Sequence, residues 1–327
     1  MLNFFESEKL RLELYYPYSK YLKDKYGEKV YKLPINVPGT CPNRDGLLGD
    51  SGCAYCAKAG AGFESLDSKI PIKTQILKNK DYIGKRYGAK KFIPYFQNYS
   101  GTYMKADKLK ENLKQAIMPD IVGINISTRP DCISDEIADI LKKLSKEFAI
   151  DICVEIGLQT ANYHTLKKIN RGHDLAQFVD AVIRLKTADI SVSAHVIIDF
   201  PDDNLDDVIE TSKVLSALKV DGVKIHSLYI ARESEFGELY KAGKLSLIGE
   251  EAYIMRAISF LEHLSPEIYV ERLLGRIPKK DSLTANFNRS WWAIKEEIEK
   301  KMMQEKTYQG AKFDYLNGSA NRAKFGD

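Results

Sequence analysis

Short apolar runs alternate along the chain with longer stretches of helical spacing. Lys29–Val37 alternates apolar and polar residues and reads as a strand. Leu66–Tyr87 reads as a helix, Phe92–Gln97 as a strand, Asp107–Ile117 as a helix and Ile121–Ser127 as a strand. Ser134, with Asp135 and Glu136 behind it, marks the start of a helix that runs to Phe148. Asp151–Gln159 is the next strand, followed by helices over 162–169 and 174–187. Ser191–Phe200, helix Asn204–Leu218, strand Gly222–Ile230 and helix Glu250–Leu264 complete the series. Six strands with intervening helices predict parallel pairing through right-handed crossovers. Six units are fewer than a full eightfold barrel needs, so the fold class is α/β, a partial (β/α)6 barrel with an open side. Residues 1–28 form a tyrosine- and lysine-rich helical extension and 29–265 the barrel. Residues 266–327, with a charged helix at 291–305, form an extension expected to cover the open side.

A fully buried parallel strand should be almost wholly apolar. Here polar residues recur with a period of two: Asn125 and Ser127; Cys153, Glu155, Gly157 and Gln159; Ser193 and His195; Lys224 and His226. Each alone reads as a satisfied buried polar group. Recurrence over four successive strands points to a lumen that holds a polar ligand. Glu155 is too costly to bury unpaired and requires a cationic or hydroxyl partner.

The first strand runs into Asn36–Ala57, which holds three of the five cysteines, Cys41, Cys53 and Cys56. Glycines and a proline let this loop fold back and bring the sulfurs together. Cys53 and Cys56 have the C-x2-C spacing that lets two thiolates bind one metal centre. The loop lies at the C-terminal end of a strand, where α/β barrels keep their chemistry. A closed zinc site needs four ligands, and no fourth Cys or His lies in the loop. An iron–sulfur cube on three cysteines leaves one iron open. Zinc, such a cube and unligated thiols all remain readings of the loop alone. Cys132 and Cys153 read as structural, with Cys153 facing the lumen.

The remaining composition narrows the classes. At 327 residues the chain can bury a large core. The first twenty residues lack a secretory h-region and no apolar run reaches eighteen residues, so the expectation is a cytoplasmic protein with no membrane span. Clustered cysteines suit a reducing compartment. The net charge of +4 permits an acidic partner without requiring one. Lys20, Lys23, Lys25, Lys29 and Lys32 form a basic patch, read either as a solvated face or as a phosphate-contacting one. Arg171, before Gly172 at a helix end, is a surface arginine or a bidentate carboxylate clamp.

Several motifs together carry a resemblance. They are Cys41-Pro-Asn-Arg-Asp-Gly46 with Gly52-Cys-x-x-Cys56, Thr128-Arg-Pro-Asp-Cys132 and Gly157-Leu-Gln-Thr-Ala161. Thr165-Leu-x-x-Ile-Asn-Arg-Gly-His-Asp174, Val220-Asp-Gly-Val-Lys-Ile-His226 and Gln309-Gly310 continue the series. In this order they resemble the radical S-adenosylmethionine (SAM) proteins of the YhcC/YtqA type, related to elongator-like SAM enzymes, over about residues 20–312. The resemblance implies a 4Fe–4S cluster on Cys41, Cys53 and Cys56 and SAM as the second cofactor. One electron from the cluster would cleave SAM to a 5′-deoxyadenosyl radical, which requires an external one-electron donor such as flavodoxin or ferredoxin. It also implies Tyr55 beside the adenine, and Gln159, Arg171 and His195 at ribose and methionine contacts. Ser127 and the turn Asn98–Thr102 would complete the pocket, with Glu155 on its lumen face. The chain departs from the family at Ile198–Asp203 and Ala231–Ser234, where Asp199 and Glu233 are expected to bring carboxylates near the site.

For the reaction, the resemblance implies modification of tRNA at a wobble-uridine side chain. Arg276–Lys280 and the pair Trp291–Trp292 could serve the RNA, although such tryptophans also read as core. The alternatives are a small-molecule or peptide substrate in the same lumen, or a zinc protein without catalysis.

Overall fold

The computed structural model describes residues 14–57, 60 and 65–326. Residues 1–13 of the expected N-terminal extension lie outside them. Helix α1 spans Tyr18–Tyr26 and ends on Gly27 in the left-handed conformation. Strand β1 is Val30–Ile35 and helix α2 is Ile72–Tyr87, starting at Pro71 rather than at Leu66. Then follow β2 (Lys91–Phe96), α3 (Ala106–Gln115), β3 (Gly123–Thr128) and α4 (Asp135–Phe148). The Ser134 side chain caps α4 through the Ile137 amide, as its sequence predicts. Next come β4 (Asp151–Gln159), the short α5 (Tyr163–Lys168) and α6 (Leu175–Thr187). Then come β5 (Ser191–Ile197), α7 (Leu205–Ala217) and β6 (Gly222–His226). Capping boxes built from Asp174 with Gln177 and Asn204 with Asp207 set the starts of α6 and α7.

The expected strand Gly222–Ile230 breaks at His226. Ser227, Leu228 and Tyr229 leave the ladder, and Ile230–Ala231 (β7) pairs instead with Ser282–Thr284 (β9) in a small antiparallel ribbon. Helices α8 (Glu235–Lys241) and α9 (Glu250–His263) follow. A seventh parallel strand, β8 (Tyr269–Arg272), then joins the sheet beside β6. The order is β1-β2-β3-β4-β5-β6-β8, and the sheet curls into a partial barrel with helices outside. The strands' outward side chains, such as Ile124, Val154, Val192 and Val223, form one continuous core with the inner faces of the helices.

Two features differ from the expected layout. The segment after residue 265 supplies a sheet strand, and its helix α10 (Trp291–Glu305) packs on α9 through Ile294, Ile298 and Met302. The gap between the edge strands β1 and β8 is met by α1, which touches both. Val270 N–H donates to Tyr16 O, and Gln309 ties the same segment down through Tyr16 N, Ser265 O and Ile268 O.

Candidate functional site

The cysteine loop is zipped onto the turn that follows α5. Asn43 Nδ2 donates to Asn170 O (2.7 Å) and Arg171 O (3.0 Å), and Asn170 Nδ2 donates to Gly52 O (3.1 Å). Ala54 N–H donates to Ile169 O. Gly172 has φ +73°, and a Cβ there would lie 2.3 Å from Asn43 Oδ1, so this close approach requires glycine. Arg129 grips Asp131 bidentately at 2.8 and 2.7 Å and donates to Arg171 O (2.8 Å). Three motifs distant in sequence thus form one scaffold that places Arg171. Its Nη2 donates to Gly157 O (2.9 Å) and its Nη1 lies 3.4 Å from Cys53 Sγ.

Above the C-terminal ends of the strands lies a cavity of about 150 Å³. Cys41, Cys53, Cys56, Tyr55, Ser127, Gln159, Arg171 and His195, all expected at the site, line it. A register shift between Gly157 and Gln159, with Gln159 at φ +78°, bends the end of β4 at this point. Asn98, Thr102 and Glu155 do not line the cavity. Asn98 Nδ2 is bonded to Asn36 Oδ1, and the Thr102 hydroxyl is engaged by Thr128 Oγ1 and Cys132 O. The turn after β2 reaches the cavity through Tyr99 and Ser100 instead. Asp199 and Glu233 also lie off the cavity wall: Asp199 is buried and accepts the Leu228 amide at 2.7 Å, and Glu233 is exposed. Burial pushes the Asp199 carboxyl up to about 7. Cys153 lies in the barrel, 3.7 Å from Tyr269 Oη, and burial pushes its thiol up.

Beneath the cavity, Glu155 is fully buried and organises the lumen. Its Oε1 accepts from Lys32 (2.6 Å) and Asn125 (2.7 Å), and its Oε2 meets Lys224 (2.9 Å) and His195 Nε2 (2.8 Å). Burial alone would raise Glu155, but Lys224, Lys32 and His195 hold it well below the usual carboxylate range. Glu271 of β8 accepts from Lys32 (2.6 Å) and Ser193 (3.1 Å), and Lys224 also reaches Tyr95 Oη (3.2 Å). All seven strands of the sheet contribute to this one layer. Burial, and then the Lys224 charge, lower His195 to about 4, so its ring is neutral at pH 7. His226, expected on the lumen face, lines the cavity on the β6 side with Ser227 and Tyr229, which sequence reasoning missed. Ser227 and Tyr229 sit where the strand was expected to continue, so the pattern gave them no signal.

The three cysteines share the wall of this one cavity. An iron–sulfur cube takes each thiolate on a different iron and leaves a fourth iron open. Near the cysteines, Arg171 Nε is buried without a hydrogen-bond partner, as befits a wall that takes a polar ligand. The residues present fit a cube with SAM beside it.

Residues 35–215 match the model of the Radical SAM superfamily, and residues 220–304 that of the Radical_SAM C-terminal domain. The chain belongs to the radical SAM superfamily. It is 31% identical over 303 residues to YtqA of Bacillus subtilis, covering 92% of this chain and 94% of that one. To YhcC of Escherichia coli K12 it is 30% identical over 291 residues, covering 89% and 92%. The solved archaeal Elp3 of Methanocaldococcus infernus, lacking its N-terminal residues 1–46, shares the fold with a TM-score of 0.65 at 17% identity. That match covers 86% of this chain and 64% of that one. Radical SAM enzymes use a 4Fe–4S cluster and SAM, and this chain is a SAM-dependent enzyme of that kind. When bound, the pair supplies a carbon-centred radical for hydrogen abstraction. Among the described residues no helix is long and apolar enough to cross a membrane.

Proposed function

We propose that this radical SAM enzyme modifies a tRNA base, acting on the side chain of a wobble uridine in the cytoplasm. The observation that carries the reading is an aromatic stack whose outer ring is exposed and whose preceding segment is tied to a cavity-lining residue. The Trp291 and Trp292 rings stack with centroids 3.9 Å apart, and the Arg276 guanidinium sits 3.9 Å over Trp291. Trp292 is 56% exposed and free to receive a base. The segment leading to it is anchored to cavity-lining Ser227, which donates to Asn286 Oδ1 (2.5 Å) and accepts from Gly275 N–H (3.2 Å). The elongator-like resemblance of the motifs supplies the choice of uridine.

In this reading Cys41, Cys53 and Cys56 hold the cluster. Tyr55, Ser127, Gln159, Arg171 and His195 hold SAM, with Arg171 also beside Cys53. Asn98, Thr102 and Glu155 support that wall from behind. Flavodoxin or ferredoxin supplies the electron. A gel shift with unmodified tRNA tests the RNA reading. Binding should weaken as salt rises, and Trp292→Ala should cost about 1–3 kcal/mol of affinity.

A small-molecule or peptide substrate is the second reading, favoured by the fate of the N-terminal lysines. Lys32 is turned into the lumen, and Lys20 and Lys25 are paired with Asp24 and Asp151. Much of the expected phosphate-contacting face is therefore neutralised within the chain. A tRNA that neither binds nor stimulates the enzyme would establish this second reading.

A further inference from the structure

The chain neutralises its buried lysines with carboxylates. Lys32 and Lys224 meet Glu155 and Glu271, and buried Arg129 meets Asp131. Buried Arg256 instead donates to the Ile198, Phe200 and Asp203 carbonyls, and Arg171 to Gly157 O. Arg272, the last residue of β8, has neither kind of oxygen partner among the described residues. Its Nη2 lies 2.8 Å from His226 Nδ1 and 3.1 Å from His226 Nε2, and its Nε is buried without a partner. Among the described residues no carboxylate forms an ion pair with it. Its neighbour Glu271 turns away to Lys32 and Ser193. Burial and the adjacent guanidinium push His226 well below its ordinary value, so its ring is neutral and brings no counter-charge.

The two lysines and two glutamates beneath cancel, which leaves Arg272, like Arg171 beside Cys53, without a carboxylate partner among the described residues. Arg272 is half-buried, and its buried, unpaired Nε–H is costly unless an acceptor reaches it. Arg272 itself stands behind the cavity wall, against His226, which lines the cavity 5.2 Å from the His195 ring between centroids. Tyr229, two residues beyond Ser227, also lines it, and among the described residues its hydroxyl makes no hydrogen bond.

We propose that Arg272, with His226 and Tyr229, forms the anchor for an anionic group of the substrate, a carboxylate or a phosphate, on the β6–β8 side of the cavity. The anion takes the unpartnered Nε–H and an Nη–H of Arg272 as a bidentate pair, while the Tyr229 hydroxyl donates a third bond. Arg272 is then a specificity-determining residue that selects charged substrates over neutral ones. The inference rests on the cavity being the reaction site and is independent of whether the substrate is RNA.

The test is calorimetric titration of the full-length, cluster-loaded protein saturated with SAM, using acetate, inorganic phosphate and neutral acetamide. The expected result is saturable single-site binding of acetate or phosphate and none of acetamide. Binding by phosphate alone assigns a phosphate anchor, and by acetate alone a carboxylate anchor. Arg272→Gln should weaken binding at least about tenfold, and Arg272→Lys, which keeps the charge, by about threefold. If Arg272→Gln does not fold, the Cε1–H signals of the five histidines in the unmutated protein decide. The His226 signal should move most on adding the anion, and it should titrate at a higher pH. Three results would overturn the proposal: no saturable anion binding, equal binding by Arg272→Gln, or anions that compete with SAM. None of these touches the RNA reading, which stands on the response to tRNA.

Discussion

Lys32 of β1 and Glu271 of β8 meet at 2.6 Å, although these strands are the two opposite edges of the sheet. The same ammonium holds Glu155 of the central strand β4, also at 2.6 Å. One lysine thus ties both edges of the partial barrel to its middle. Burial would lower Lys32, but Glu155 and Glu271 raise it well above its ordinary value. Replacing it by methionine leaves two buried carboxylates short of a cation. Lys32→Met should therefore destabilise the fold by about 3–5 kcal/mol. Adding Glu271→Gln should restore part of the loss. Urea denaturation of the single and double variants measures both.

The cysteine assignment makes a separate prediction. Cys53→Ala or Cys56→Ala should abolish the cluster, whereas Cys132→Ala and Cys153→Ala should keep it. Cys132 lies beside the Thr102 turn, and burial pushes its thiol up to about 12, which suits a structural thiol. Iron and sulfide analysis after anaerobic reconstitution reads the outcome. Full cluster content in Cys53→Ala or Cys56→Ala would refute the assignment.

Gly172 is required twice, by its positive φ and by the Asn43 side chain against it. Gly172→Ala should push Asn43 off the Asn170 and Arg171 carbonyls and loosen the cysteine loop. The expected cost is at least about 1 kcal/mol in stability, with a lower iron content per chain. Asn43→Ala should reproduce the lower iron content. A variant that loads iron normally in both cases would show that the zipper does not hold the loop.

Asp199 gives the stability curve a particular sign. Its carboxyl is held near 7 against an ordinary value of 3.8. The native state therefore keeps a proton that the unfolded chain has released. This contribution is fully present below about pH 4 and is lost as pH rises to about 7. Asp199→Asn keeps an acceptor for the Leu228 amide and carries no charge. It should be more stable than the parent at pH 8, by roughly 4 kcal/mol at most, and indistinguishable at pH 4. Melting temperatures across that range check it; parallel curves would contradict the account.

The sequence pattern was most informative where burial sets the period. The first six strands, apart from the early end of the sixth at His226, follow from alternation, as does the polar lumen face, and the start of α4 follows from Ser134. Glu155 was expected to need a partner, and it has four. Lys32 was not foreseen as one of them, because it ends a run of lysines that reads as a solvated face. Strand β8 was missed because two of its four residues, Glu271 and Arg272, are charged, and their partners come from other strands. Within the turn Asn98–Thr102, side-chain directions follow Tyr99 at φ +53° and Gly101 packed on Ser127 O, which no periodicity encodes. Hence Ser100 reaches the cavity while Asn98 and Thr102 do not.

The most direct measurement of the central claim is 5′-deoxyadenosine formation by the reconstituted protein with SAM and dithionite, with and without unmodified tRNA. The account predicts formation that depends on Cys53 and Cys56 and rises strongly with tRNA. Formation indifferent to tRNA would contradict the RNA substrate and turn the search to small molecules and peptides. No formation despite a full cluster would contradict the SAM site built around Gln159, Arg171 and His195.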